Sequence, residues 1–132
     1  MMTRGMIGLV LAALAGCLAL ARAQEEIVLP GRGGQLYTAA LSPDGALAAA
    51  AGDDKGIRLW DVASRRPLGT LQGHESGVWS LAFSPDSRWL ASAGIDGMVR
   101  LWDMASRAQA AVFKGHQGAV FCVRFSPDGR FL

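Results

Sequence analysis

Between residues 73 and 114 the apolar positions fall into four short runs, 78–83, 89–93, 98–102 and a weaker 110–113, each closed by turn-forming residues. Runs this short, with β-branched and aromatic side chains and no 3.6-residue period, predict strands rather than helices. They are apolar on both faces instead of alternating, as expected for small sheets covered on each side by neighbouring sheets. The connections carry matching turn chemistry. Ser84-Pro85-Asp86-Ser87 and Ser42-Pro43-Asp44-Gly45 suit type I turns, in which Pro presets φ and the Ser and Asp side chains bond nearby backbone. Asp96-Gly97 is a tight hairpin signal.

The same pattern recurs along the chain at an offset of 42 residues. Leu59-Trp60-Asp61 returns as Leu101-Trp102-Asp103, and Ser42-Pro43-Asp44 returns at Ser84 and again at Ser126. Gly73-His74 returns as Gly115-His116, and Ala63-Ser64-Arg65 as Ala105-Ser106-Arg107. A unit of this size cannot bury its own apolar faces and has to stack on copies of itself. In the first repeat, Asp54-Lys55-Gly56 is one residue longer before its Gly, yet Ile57 aligns with Val99, so the register of the third strand is kept.

The order Gly-His, apolar strand, Ser-Pro-Asp, Leu-Ala-Ser-Ala-Gly, Asp-Gly, Val-Arg-Leu-Trp-Asp resembles the WD-repeat β-propeller family, and in particular its exported bacterial members. The likeness runs from Gly31 to the end of the chain. It implies an all-β fold: a partial β-propeller of about two and a half four-stranded antiparallel blades, with repeats at 31–72 and 73–114 and the start of a third at 115–132. In that family a buried Trp, a Ser or Thr, a His and an Asp form a hydrogen-bond network within a blade. The resemblance assigns this network to His74, Ser92, Asp96 and Trp102. The physical need is that a buried indole N–H and both nitrogens of a buried imidazole require partners. The first repeat keeps Asp54 and Trp60, but Arg32 stands in the His place and Ala50 in the Ser place, so only a partial network is expected there. Propellers of this kind typically close with about four to eight blades. The expectation is therefore an N-terminal fragment of a longer protein, with assembly of several copies into a ring as the alternative.

Residues 1–23 stand outside the repeat. Arg4 supplies a positive start, 6–20 is an apolar stretch, and Ala21-Arg22-Ala23 is a small-residue cleavage site, followed by a lead-in at 24–30. This reads as a signal peptide cleaved after Ala23, giving a periplasmic or secreted protein. Leu14-Ala15-Gly16-Cys17 competes as a lipoprotein processing site, with lipidation at Cys17. Membrane association is expected only if Cys17 is lipidated or the signal stays uncleaved. The whole chain has 13 basic and 11 acidic residues, for a formal charge of +2. Removing Arg4 and Arg22 leaves 11 against 11. No basic stripe with interleaved aromatics then remains to suggest nucleic acid. Cys122 is left without a disulfide partner and reads as a small buried residue of a first strand.

Reaction chemistry is poorly supported. His74, Ser92 and Asp96 have the residue types of a nucleophilic triad, but Gly73-His74-Glu75-Ser76-Gly77 misplaces the Ser of a nucleophile elbow by one position. His74-Glu75 opens an H-E-x-x-H metal motif that Val78 breaks, and Gly31-Arg32-Gly33-Gly34 opens a dinucleotide loop that Leu36 breaks. No catalytic residue, cofactor or metal is expected. Arg58, Arg100, Arg65 and Arg107 read as solvated charges on packed stems, or else as the rim of a partner-binding face. The resemblance implies a non-catalytic scaffold that binds other proteins. The alternative is an accessory propeller of a larger enzyme or redox protein whose catalytic domain lies beyond Leu132; fold alone does not choose.

Overall fold

The computed structural model describes residues 9–11, 27–29 and 34–132. The expected signal segment lies outside these apart from Leu9–Leu11, as do Cys17, Ala23 and Arg32. All regular structure described is β. Strands β1 (Leu9–Leu11) and β2 (Ile27–Leu29) form an antiparallel pair. Two four-stranded antiparallel meanders follow, consistent with about two blades of a propeller. The first comprises β3 (Leu36–Leu41), β4 (Leu47–Gly52), β5 (Ile57–Asp61) and β6 (Arg66–Leu71). The second comprises β7 (Val78–Phe83), β8 (Trp89–Gly94), β9 (Val99–Asp103) and β10 (Ala108–Phe113).

The strands sit where the apolar runs place them, with shifts at their ends. β9 starts at Val99 rather than Met98, because the backbone N–H of Met98 is taken by the Asp96 carboxylate. β10 begins two residues earlier than its apolar run, and a bulge between Gln109 and Ala111 keeps it paired to β9. The first strand of the third repeat does not form. Residues 119–125 carry no strand. The segment lies across the second blade instead, with the Val120 N–H donating to the Gly94 carbonyl (3.0 Å) and the Val123 N–H to Ser80 Oγ (3.2 Å).

Each Ser-Pro-Asp turn is a small closed network. The Gly45 N–H bonds the Ser42 carbonyl (2.9 Å), Ser42 Oγ donates to Asp44 Oδ1 (2.5 Å), and the Leu47 N–H donates back to Ser42 Oγ (2.9 Å). Ser84 with Asp86 and Ser126 with Asp128 repeat the arrangement. Bonds from Ser42 hold the exposed Asp44 carboxyl below its ordinary range, with the Ala46 N–H adding to the effect. The turns also link blades, through the Asp44 N–H to Ser87 Oγ at 3.2 Å. At the β4–β5 turn the left-handed residue is Lys55 (φ 69°), in the place of Gly97 (φ 75°). The extra residue before Gly56 thus leaves a non-glycine at the strained position.

The main core lies between the blades. Ala49, Ala51, Ile57 and Leu59 of the first meet Val78, Leu81, Leu90 and Trp102 of the second. A fully buried Ile or Leu of this kind contributes about 1.5–3 kcal/mol. The far face of the second blade, with Ala91, Ala93 and Val99, is covered by Val120 and Val123. The β4 positions Ala48–Ala51 are all buried, with alternate residues facing different clusters. Alanine there lets the second blade approach closely on one side and leaves room for Trp60 on the other.

Candidate functional site

Strand β8 places Ser92 at the centre of the second blade, fully buried, opposite Arg100 of β9. The Trp102 indole N–H donates to Ser92 Oγ (2.9 Å), and Ser92 Oγ lies 2.7 Å from His74 Nε2. His74 Nδ1 lies 2.9 Å from Asp96 Oδ2. The bonds order themselves: Ser92, already an acceptor, gives its own proton to Nε2, so the imidazole carries its proton on Nδ1 and donates to Asp96. Asp96 also accepts from the Glu75 N–H (3.1 Å) and, on Oδ1, the Met98 N–H (3.1 Å). The four residues to which the resemblance assigned one network are in hydrogen-bond contact.

Burial pushes the His74 pKa below its ordinary value, against the opposing pull of Asp96 and with a contribution from the nearby Arg100 charge. For Asp96, burial acts upward but is outweighed by hydrogen bonds from Glu75, His74 and Met98, which hold the carboxyl below its usual range. The stable state is neutral imidazole beside carboxylate. The close fit extends to the backbone. A Cβ on Gly94 would come within 2.8 Å of the Gly77 carbonyl and 3.1 Å of His74 Nδ1.

Ser92, His74 and Asp96 thus have the connectivity of a nucleophilic triad, but not its freedom. The Ser92 hydroxyl is inaccessible to solvent and committed to both Trp102 and His74, so no carbonyl can approach it. No group of three or more potential metal ligands occurs among the described residues.

The first blade differs. Ala50, fully buried, occupies the Ser place, and Asp54 pairs with Arg58 of β5 rather than with a histidine. Trp60 is as buried as Trp102. Arg58 is partly covered by that pairing, and Arg100 is buried, with its guanidinium on Gln109 Oε1 (2.6 Å) and Met98 Sδ, while its Nε has no partner among the described residues. Both depart from the solvated reading, Arg58 through its pairing with Asp54 and Arg100 through its burial against Gln109 and Met98. Arg65 and Arg107 are exposed, and Arg107 bonds the Leu68 carbonyl of the first blade (3.1 Å). These four arginines do not form a common rim. Cys122 also departs from its buried reading. Its counterpart Ser80 is covered by the segment around Val123, whereas Cys122 is exposed because no described residue packs over it.

One group was missed in reading the sequence. Tyr37, Trp79 and Phe121, again 42 residues apart, form a continuous aromatic row. Tyr37 stacks on Trp79 (centroids 4.9 Å, planes 14° apart), and Trp79 meets Phe121 edge to face (5.7 Å, 68°). All three are exposed. Tyr37 and Trp79 each occupy a bulge in the first strand of their blade. Their shared period was the available signal, hidden because each falls within an apolar run that already had an explanation as core.

A family model, the WD domain, G-beta repeat, matches residues 24–61, 65–103 and 107–132. With the matched segments covering most of the chain and two four-stranded antiparallel meanders in place, the chain belongs to the WD-repeat family.

Proposed function

We propose that this chain is a non-catalytic scaffold, exported from the cell, whose blades hold a rigid surface for other proteins. WD repeats of this kind indicate a propeller-type protein-interaction module. The observation that carries the non-catalytic reading is the commitment of Ser92: its hydroxyl is buried and shared between the Trp102 indole and His74, so this Ser-His-Asp grouping is spent on holding the blade together. The export reading rests on the apolar stretch and Ala21-Arg22-Ala23.

Selection of a random peptide library on the purified chain tests the first part. The expected result is a set of peptides that bind saturably when resynthesised; an empty selection would count against an interaction module. N-terminal sequencing of protein recovered from the cell exterior or periplasm tests the second. A new terminus at Gln24 is expected, and a terminus at a modified Cys17 would replace soluble export with membrane anchoring.

A further inference from the structure

We propose that the row Tyr37–Trp79–Phe121 is the docking site for an extended, proline-containing peptide segment that carries a basic side chain. This rests on the interaction-module reading and names the chemistry of its partner.

Three observations carry it. The first is exposure where burial was available. Tyr37 is 38% exposed, Trp79 39% and Phe121 68%, and the strand that bears Trp79 is otherwise mostly buried. The bulges between Leu36 and Thr38 and between Val78 and Ser80 insert one extra residue each, the aromatic one, and so re-aim its ring away from the regular pleat. Those bulges also interrupt the edge that an added β-strand would pair with, so the partner is held by side chains rather than by strand addition.

The second is the chemistry left open. Neither the Tyr37 hydroxyl nor the Trp79 indole N–H makes a hydrogen bond among the described residues. An apolar strip with donors needs a ligand with apolar surface and free carbonyl acceptors. A polyproline II segment supplies both, because it has no internal hydrogen bonds and leaves its carbonyls exposed. Length permits it: successive rings lie 4.9 and 5.7 Å apart, so the row is at most about the length of one polyproline II turn, roughly 9 Å.

The third is charge. The Asp53 N–H bonds the Gln35 carbonyl, two residues before Tyr37, and the Gly52 carbonyl and Tyr37 Cε2 both border the space beside Gly77. This puts the Asp53 backbone near the Tyr37 end of the row, with its carboxylate against Gly34. Glu75 lies just before Gly77, tied by its N–H to Asp96. Both side chains are exposed and make no ion pair among the described residues, whereas the Asp54 carboxylate is taken by Arg58; Lys55 is the exposed cation in the same turn. The rim favours a basic residue flanking the prolines.

The test uses the purified full chain and a fluorescein-labelled decapeptide with a Pro-x-x-Pro core and one arginine, followed by anisotropy and by Trp fluorescence. Saturable binding is expected. Trp79→Ala should weaken it about thirty-fold, as for an interface hot spot, and Tyr37→Phe, which keeps the ring and removes the donor, about five-fold. Asp53→Asn should cost about two- to five-fold, with the loss masked at high salt. Replacing the prolines by alanine should abolish binding. Should Trp79→Ala fold poorly, Tyr37→Phe decides. The inference is overturned if the decapeptide does not bind, if the alanine peptide binds as well, or if neither aromatic substitution changes affinity. In that event, library peptides that bind without proline or independently of Trp79 would leave the interaction module standing and remove only this site. Binding of an oligosaccharide rather than the peptide at the row would likewise overturn it.

Discussion

Ser92→Ala is the most informative single change in this chain. The hydroxyl is fully buried, accepts from the Trp102 indole at 2.9 Å and contacts His74 Nε2 at 2.7 Å. Alanine leaves a buried N–H donor and a buried nitrogen acceptor unpartnered, each at about 1–3 kcal/mol. The lost oxygen opens a space too small for water, so neither group is rescued. Relief from desolvating the hydroxyl offsets a part. The net expectation is a loss of about 2–4 kcal/mol. With a urea m-value of about 1.5 kcal/mol/M, the midpoint falls by about 2 M. Equilibrium urea unfolding followed by Trp fluorescence reads this directly. The mechanism is checked in a Trp102→Phe background, where the indole N–H is already gone and Ser92→Ala should cost about half as much. A midpoint change equivalent to less than about 0.5 kcal/mol, the level of an ordinary surface substitution, or the same cost in both backgrounds, would refute the reasoning.

Trp102→Ala should cost about 3–5 kcal/mol in the same assay, as for a buried aromatic, and His74→Ala less than that but more than a surface change; two variants that unfold like wild type would show the network is not buried. Acid should destabilise the fold. His74 is held below its ordinary pKa, so its contribution is complete above the unfolded value of about 6.5 and is lost as pH falls below it; Asp96, also held down, adds a second loss at lower pH. Urea midpoints measured from pH 8 to pH 4 should decline, and His74→Gln should flatten the upper part of that decline. Gly94→Ala should destabilise by about 1–3 kcal/mol through overpacking, because its Cβ would meet the Gly77 carbonyl and His74; an unchanged midpoint would show that the backbone yields there. Cys17→Ser should still be processed and exported, and accumulation of the full precursor would instead establish lipoprotein maturation.

Much of the fold was legible because periodicity is a global signal. Once Trp60 and Trp102 and the three Ser-Pro-Asp turns share one offset, strand order and register follow without any propensity sum. The network residues were legible only through the family resemblance, since Ser92 and His74 have no counterpart in the first repeat, where Ala50 and Arg32 stand. The rest depended on neighbours that a one-dimensional pattern does not show. Arg58 and Arg100 share a register position, yet one pairs with Asp54 and the other is buried against Gln109, because blade one offers a carboxylate where blade two has committed its own to His74. Cys122 and Ser80 share a position too, but burial comes from the segment packed over it, and among the described residues Ser80 alone of the two has one. The aromatic row was hidden because strands read as apolar on both faces give no sign of which side chain turns outward. A bulge at Tyr37 and Trp79 turns what reads as a core position outward, and bulges leave no mark in composition.

The contrast between two tryptophans tests the central claim most directly: that one indole is locked in a buried network while another stands open on the working face. Hydrogen exchange of the indole N–H groups, read by NMR on the ¹⁵N-labelled chain, separates them. Trp102, 2% exposed and bonded to Ser92, should exchange orders of magnitude more slowly than Trp79, 39% exposed and unbonded. Equal exchange at the two sites would contradict the account.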